Sequence, residues 1–137
     1  MRRVRLTDFR CYRTLALDLD ERPVVLAGPN GAGKTNLLEA LSFLVPGRGL
    51  RRARLTDVAR REVQEAPVPV PRAWAVAATV DNGTAVFDIG TGLAPEAGVP
   101  GGPGRRTVRI DGAPARSQVV LGERLAALWL TPDMQRL

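Results

Sequence analysis

Gly28-Pro29-Asn30-Gly31-Ala32-Gly33-Lys34-Thr35 is the stretch whose reading decides the fold. It fits the phosphate-binding loop pattern G-x-x-x-x-G-K-[ST] without a mismatch. The chemistry accounts for the spacing. Glycines let the backbone N–H groups of Asn30, Gly31, Ala32, Gly33, Lys34 and Thr35 curl round a phosphate, Lys34 carries charge to the outer phosphates, and the Thr35 hydroxyl is a ligand for Mg²⁺. Pro29 has no N–H to give and stiffens the approach. Lys34 is the only lysine among 20 basic residues, so the chain uses arginine everywhere else. A loop of this kind follows a buried strand and opens a helix. Pro23-Val24-Val25-Leu26-Ala27 reads as a strand covered on both faces. Lys34 to Val45 reads as the helix, with Leu37, Leu38, Leu41, Leu44 and Val45 on one side and Pro46-Gly47 ending it. Asn36, in its first turn, either caps the chain or bonds a phosphate. The expected class is therefore α/β, with the loop helix packed on a sheet.

Outward from the loop, Arg3 to Leu6 has the look of a short strand, and Leu15, Leu17 and Leu19 alternate as a half-buried strand should. Thr56 to Arg61 is expected to form a short helix capped by Thr56. Ala66 to Arg72 alternates proline with valine and alanine and reads as an extended connection. Ala73 to Val80, the turn Asp81-Asn82-Gly83 and Ala85 to Ile89 make a β-hairpin. Gly90 to Gly104 is rich in glycine and proline and is expected to be a flexible surface loop. Arg106 to Ile110 closes as a strand at Asp111-Gly112, Ser117 to Ala127 has helical leucine spacing, and Leu128-Trp129-Leu130 resembles a last strand.

At 137 residues the chain is one domain, 1–137, able to bury a core. It has no histidine and a single cysteine, Cys11, which removes the commonest general base, disulfides and cysteine-clustered metal sites. Cysteine usage fits a reducing cytoplasm. The basic start lacks an apolar signal core, and the longest mostly apolar run falls far short of the ~20 residues of a membrane span. The formal net charge of +6 points to a polyanionic partner. Its distribution is more specific: Arg48, Arg51, Arg52, Arg54, Arg60 and Arg61 crowd the segment just after the loop helix, opposed only by Asp57. Such a run reads either as a solvated face or as a phosphate-contacting stripe.

Three segments together resemble the RecF family: Val4-Arg5-Leu6-Thr7-Asp8-Phe9-Arg10-Cys11-Tyr12, the loop continued through Asn36-Leu37-Leu38-Glu39-Ala40, and Gly47-Arg48-Gly49-Leu50-Arg51. Trp129-Leu130-Thr131-Pro132-Asp133-Met134 looks like that family too. The loop alone is shared by the wider SMC-like ATPases. The resemblance implies the N-terminal lobe of an ABC-type ATPase head, a P-loop NTPase fold with a mixed sheet and a β-hairpin. It further implies a cytoplasmic protein that binds ATP and Mg²⁺, forms an ATP-dependent homodimer, holds DNA at single-strand to double-strand junctions in gap repair and the SOS response, and works with other recombination mediator proteins. Arg51 falls where SMC-like heads place an arginine near DNA, with Arg48 and Arg52 beside it, and Arg10 lies on the nucleotide side of such heads.

Family members continue with a helical lobe, a Ser-Gly signature motif and a Walker B strand ending in acidic residues, none visible here. The chain is therefore expected to be an apparently truncated N-terminal part that hydrolyses almost no ATP, so that no catalytic residue is assigned within it. Ala85-Val86-Phe87-Asp88 imitates a Walker B strand, but its place after Asn82-Gly83 makes it the second arm of a hairpin. Gln135 imitates the metal-sensing glutamine of ABC ATPases, although chance explains a single candidate so near the end. Rival readings are the head of another SMC-like ATPase, a small P-loop kinase, and a domain that uses nucleotide only as a structural ligand.

Overall fold

In the computed structural model the described residues are 1–61, 72–94 and 104–131. The sheet grows from period-two patterning. β1 (Arg3–Phe9) and β2 (Tyr12–Asp18) form a hairpin, and β3 (Trp74–Asp81), β4 (Val86–Ala94), β5 (Arg105–Ile110) and the two-residue β6 (Ala113–Pro114) complete six strands in the order β2-β1-β3-β4-β5-β6. Every pairing among the described residues is antiparallel. Val4, Leu6, Trp74, Val76, Ala78, Val80, Phe87, Ile89, Leu93 and Val108 point to one face and are buried. The alternate positions Arg5, Ala77, Gly90 and Arg109 lie opposite one another across the other face. Asp8, at φ 46°, interrupts the alternation without shifting the register, so Phe9 turns inward at the strand's end. The chain returns beside it: Phe9 bridges Ala59, and the Arg10 N–H donates to Val58 O at 2.8 Å.

The helix α1 (Lys34–Ser42) covers the apolar face, burying Leu37 and Ala40, and the turn after it buries Phe43 and Leu44. Phe9, Phe43 and Trp74 meet edge-on or tilted, with ring centroids 5.1–6.0 Å apart. Burying each ring contributes roughly 1.5–3 kcal/mol before entropy is counted. The short helix α2 (Val119–Arg124) adds Leu121. No helix among the described residues is long and apolar enough to cross a membrane.

Several expectations need correction. Pro23 to Ala27 forms no strand; Val24 and Val25 are exposed, because no neighbouring strand among the described residues offers a ladder. Leu38 is half exposed instead of facing the sheet, since α1 turns Leu37, Ala40 and the following Leu44 inward. Thr56 caps nothing: the segment is a single 3₁₀ turn, Leu55–Asp57, with Arg54 at its N-cap. Leu128 to Leu130 is not a strand, and the helical run shrinks to α2. The expected loop from Gly90 is strand through Ala94, where Gly92 is required: a Cβ there would lie 2.3 Å from the Trp74 carbonyl oxygen. Residues 95–103, most of the connection at 66–72, and 132–137 with Gln135 lie outside the described residues. Asp88 sits in the hairpin as read, accepting a 2.6 Å bond from Thr79 Oγ1 on the sheet face away from α1.

Candidate functional site

Gly28 to Ala32 run as an exposed loop that leads through the buried Gly33 into the N-terminus of α1. Gly33 is the N-cap in left-handed conformation, φ 99°, and has no room for a side chain: a Cβ would stand 2.6 Å from the Tyr12 hydroxyl and 2.8 Å from Cys11 Sγ. The β1–β2 turn thus braces the loop. The Tyr12 hydroxyl donates to Gly33 O at 3.0 Å. Burial, reinforced by the neighbouring Cys11, raises the Tyr12 phenol above its ordinary pKa and keeps it a neutral donor. Cys11 Sγ accepts a 3.2 Å bond from Asn36 Nδ2.

Within the loop the Ala32 N–H donates to Pro29 O at 3.2 Å, while the N–H groups of Gly31, Gly33, Lys34 and Thr35 have no acceptor among the described residues. Lys34 Nζ folds back onto the loop, donating to Gly28 O and, at 3.0 Å, to Pro29 O. Unbonded N–H donors at a helix N-terminus, an ammonium bonded only to carbonyls of the loop and an exposed Thr35 hydroxyl form a donor set suited to a phosphate chain with its metal. The residues present therefore fit Mg²⁺-nucleotide.

Beside the loop lies a cluster that sequence reasoning missed. Glu39, on α1, is fully buried and accepts two bonds from Arg10, Nε and Nη2, each at 2.9 Å. The third Arg10 donor, Nη1, reaches Asp57 O at 2.9 Å. Arg51 Nη1 meets Glu39 Oε2 at 3.1 Å and Asn36 Oδ1 at 3.0 Å. Of the arginine stripe, Arg51 is thereby brought to the loop helix, whereas Arg48 and Arg52 are exposed and make no ion pair among the described residues. No signal in the sequence pointed to it: on the helical side read from Leu37, Leu38, Leu41, Leu44 and Val45, Glu39 falls on the opposite, outward side, and only the structure shows it buried and in need of a cation partner.

The model of the RecF/RecN/SMC N terminal domain matches residues 1–92. Among curated relatives, the DNA replication and repair protein RecF of Rhizobium meliloti (strain 1021) is 52% identical over 135 residues, covering 98% of this chain and 33% of the relative. RecF of Caulobacter vibrioides is 48% identical over 136 residues, covering 96% and 32%. The chain thus spans about a third of the length of these relatives. Among solved structures, the recombination mediator protein RecF with ATP, of the RecFOR pathway, superposes with a TM-score of 0.76 at 20% identity, over 96% of this chain and 32% of that one. The SMC head domain from Thermotoga maritima gives 0.64 at 19% identity, over 91% and 41%. At such identities the structural likeness speaks for the fold: the N-terminal lobe of an ABC-type ATPase head. Together with the match over residues 1–92, it places this chain in the RecF/RecN/SMC N-terminal domain family, on its RecF branch.

Proposed function

We propose that residues 1–137 are the ATP-binding lobe of a DNA repair and replication ATPase of the RecF kind. The observation that carries this reading is the loop itself: N–H groups without acceptors surround a lysine whose ammonium is held only by the carbonyls of Gly28 and Pro29. On this reading Lys34 leaves those carbonyls for the outer phosphates, and the N–H groups from Asn30 to Thr35 take the oxygens between. Thr35 holds Mg²⁺ by its hydroxyl. Tyr12 keeps Gly33 in place, so the cradle is formed before the nucleotide arrives. Bound nucleotide supplies the charge and surface through which two heads associate. Arg48, Arg51 and Arg52 contact nucleic-acid phosphates, positioning DNA without reading its sequence. The naming of the relatives supports a role in DNA replication and repair; the junction preference, gap repair, the SOS response, ATP-gated dimerisation, further mediator partners and a cytoplasmic location belong to this proposal.

Titration with a fluorescent ATP analogue in Mg²⁺ tests the site. Lys34→Ala should weaken binding roughly 10- to 100-fold, the weight of one charge-assisted hydrogen bond, while the circular dichroism spectrum is unchanged. Equal affinity in the two proteins would remove the loop from the proposal.

A further inference from the structure

We propose that Glu39 is a positioning residue, which holds Arg51 so that its free edge meets a phosphate beside the loop. The proposal rests on the reading of the loop and stripe as phosphate-binding. A carboxylate with 1% of its side chain exposed is tolerated only when paired. Glu39 has two cations, and one more positive charge than its own carboxylate balances remains. The geometry places that surplus. Arg10 spends all three of its donor groups inward, two on Glu39 and one on the Asp57 carbonyl. Arg51 spends one, Nη1, on Glu39 and Asn36 together, and keeps 42% of its side chain exposed; its Nε and Nη2 have no acceptor among the described residues. The surplus charge is therefore presented by Arg51, against Asn36, the residue after Thr35.

The backbone carrying Arg51 is fixed independently of Glu39's carboxylate. The Leu50 N–H donates to Ser42 Oγ at 2.7 Å, and that hydroxyl donates to the Glu39 carbonyl at 2.6 Å. What the carboxylate adds is the direction of a long side chain, which otherwise samples many rotamers. Arg10 aligns the carboxylate, and the carboxylate aligns Arg51. The ligand chemistry is a phosphate oxygen, from a nucleotide in the loop or from a nucleic-acid backbone.

A carboxylate that only balanced charge and one that positions Arg51 make opposite forecasts. Removing a negative charge by Glu39→Gln strengthens general attraction to polyanions. Removing a positioning group weakens binding. The experiment uses the 137-residue chain, its Glu39→Gln and Arg51→Ala variants and the double variant, with two probes: a labelled duplex with a single-stranded extension, titrated across salt, and a fluorescent ATP analogue. Glu39→Gln should weaken, about threefold to tenfold, the probe whose phosphate Arg51 meets, and the loss should vanish in the Arg51→Ala background. If that probe is DNA, the slope of log affinity against log salt should fall by about one. Should Glu39→Gln fail to fold, Glu39→Asp keeps the charge and draws the carboxylate back by one methylene, and is expected to show the same loss and the same dependence on Arg51. Tighter DNA binding in the Glu39 variants, or losses that add to those of Arg51→Ala, would overturn the positioning role alone. No effect of Arg51→Ala on either probe would overturn both this role and the reading of Arg51 as a phosphate contact.

Discussion

Arg106 serves the far end of α1, where the helix's last carbonyls lack helical partners. It lies on the inward face of β5, in phase with Val108, and has no carboxylate partner among the described residues. Its Nη2 donates to Phe43 O at 2.7 Å, Nη1 to Gly47 O at 2.5 Å and to Gln118 Oε1, and Nε to Thr91 Oγ1 at 3.0 Å. Its guanidinium stands 5.5 Å from the centre of the Phe43 ring. Burial lowers its pKa, and the negative end of the α1 dipole, with its unpaired carbonyls, is what compensates the charge. Arg106→Leu leaves the Phe43 and Val45 carbonyls without their donor in a part-buried site and should cost about 1–3 kcal/mol in urea unfolding. Arg106→Lys, a point charge instead of a fork, should recover only part of that. A loss below about 0.5 kcal/mol for Arg106→Leu would mean that water replaces the guanidinium at little cost. The period-two pattern already put residue 106 on the core face, but nothing local to Arg105-Arg106 said that the partner would be a helix end some sixty residues earlier in the chain.

At the scale of elements, the β3–β4 hairpin shows how a turn's own side chains set its pH response. Asn82 Oδ1 accepts the N–H groups of Thr84 and Ala85, at 3.0 and 2.9 Å, and Asp81 Oδ1 accepts that of Gly83 at 2.8 Å. Arg2 Nε reaches the other Asp81 oxygen at 2.8 Å, tying the start of the chain to the turn. The Gly83 N–H first, then Arg2, hold the Asp81 carboxyl below its usual range. A depressed carboxylate stabilises the fold above its unfolded pKa, and this contribution fades as pH falls through the lower folded value. Asp81→Asn should therefore be less stable than the parent near pH 7 and converge with it as the pH falls below the ordinary carboxylate range, read from urea midpoints at several pH values. A constant gap across that range would assign the effect to packing. This hairpin was legible because Asp81-Asn82-Gly83 carries its own turn chemistry. The 3₁₀ turn at Leu55–Asp57 was not, since its place depends on Val58 and Ala59 docking beside β1 and on the Trp74 Nε1 bond of 2.7 Å to the Leu55 carbonyl.

Across the whole molecule, what the sequence disclosed was whatever chemistry is local, and what it withheld was partnership. The loop's place at the start of α1 was readable because its glycines, lysine and threonine lie within eight consecutive residues. The Arg10–Glu39–Arg51 cluster was not, because its members come together only through the β1–β2 turn and the path of the chain after α1. Pro23 to Ala27 shows the same limit from the other side: an apolar run states that burial is needed without saying what covers it. Among the described residues little does. Val24 and Val25 are 57% and 87% exposed, and only Leu26 packs in part against the core. An exposed apolar segment whose N–H and C=O groups make no backbone bonds among the described residues offers a surface and donors for pairing with another strand. The 137-residue chain should accordingly self-associate as its concentration rises. Val25→Lys should suppress that, since a charge on an exposed strand resists edge pairing, while Lys34 and the N–H groups of the loop remain intact and the fluorescent ATP analogue binds within about twofold of the parent. Light scattering against concentration reads the first effect and the titration the second. Identical scattering by parent and variant would show that Val24 and Val25 are not the sticking surface, and nucleotide affinity lost along with self-association would show that the phosphate loop is completed only between two chains.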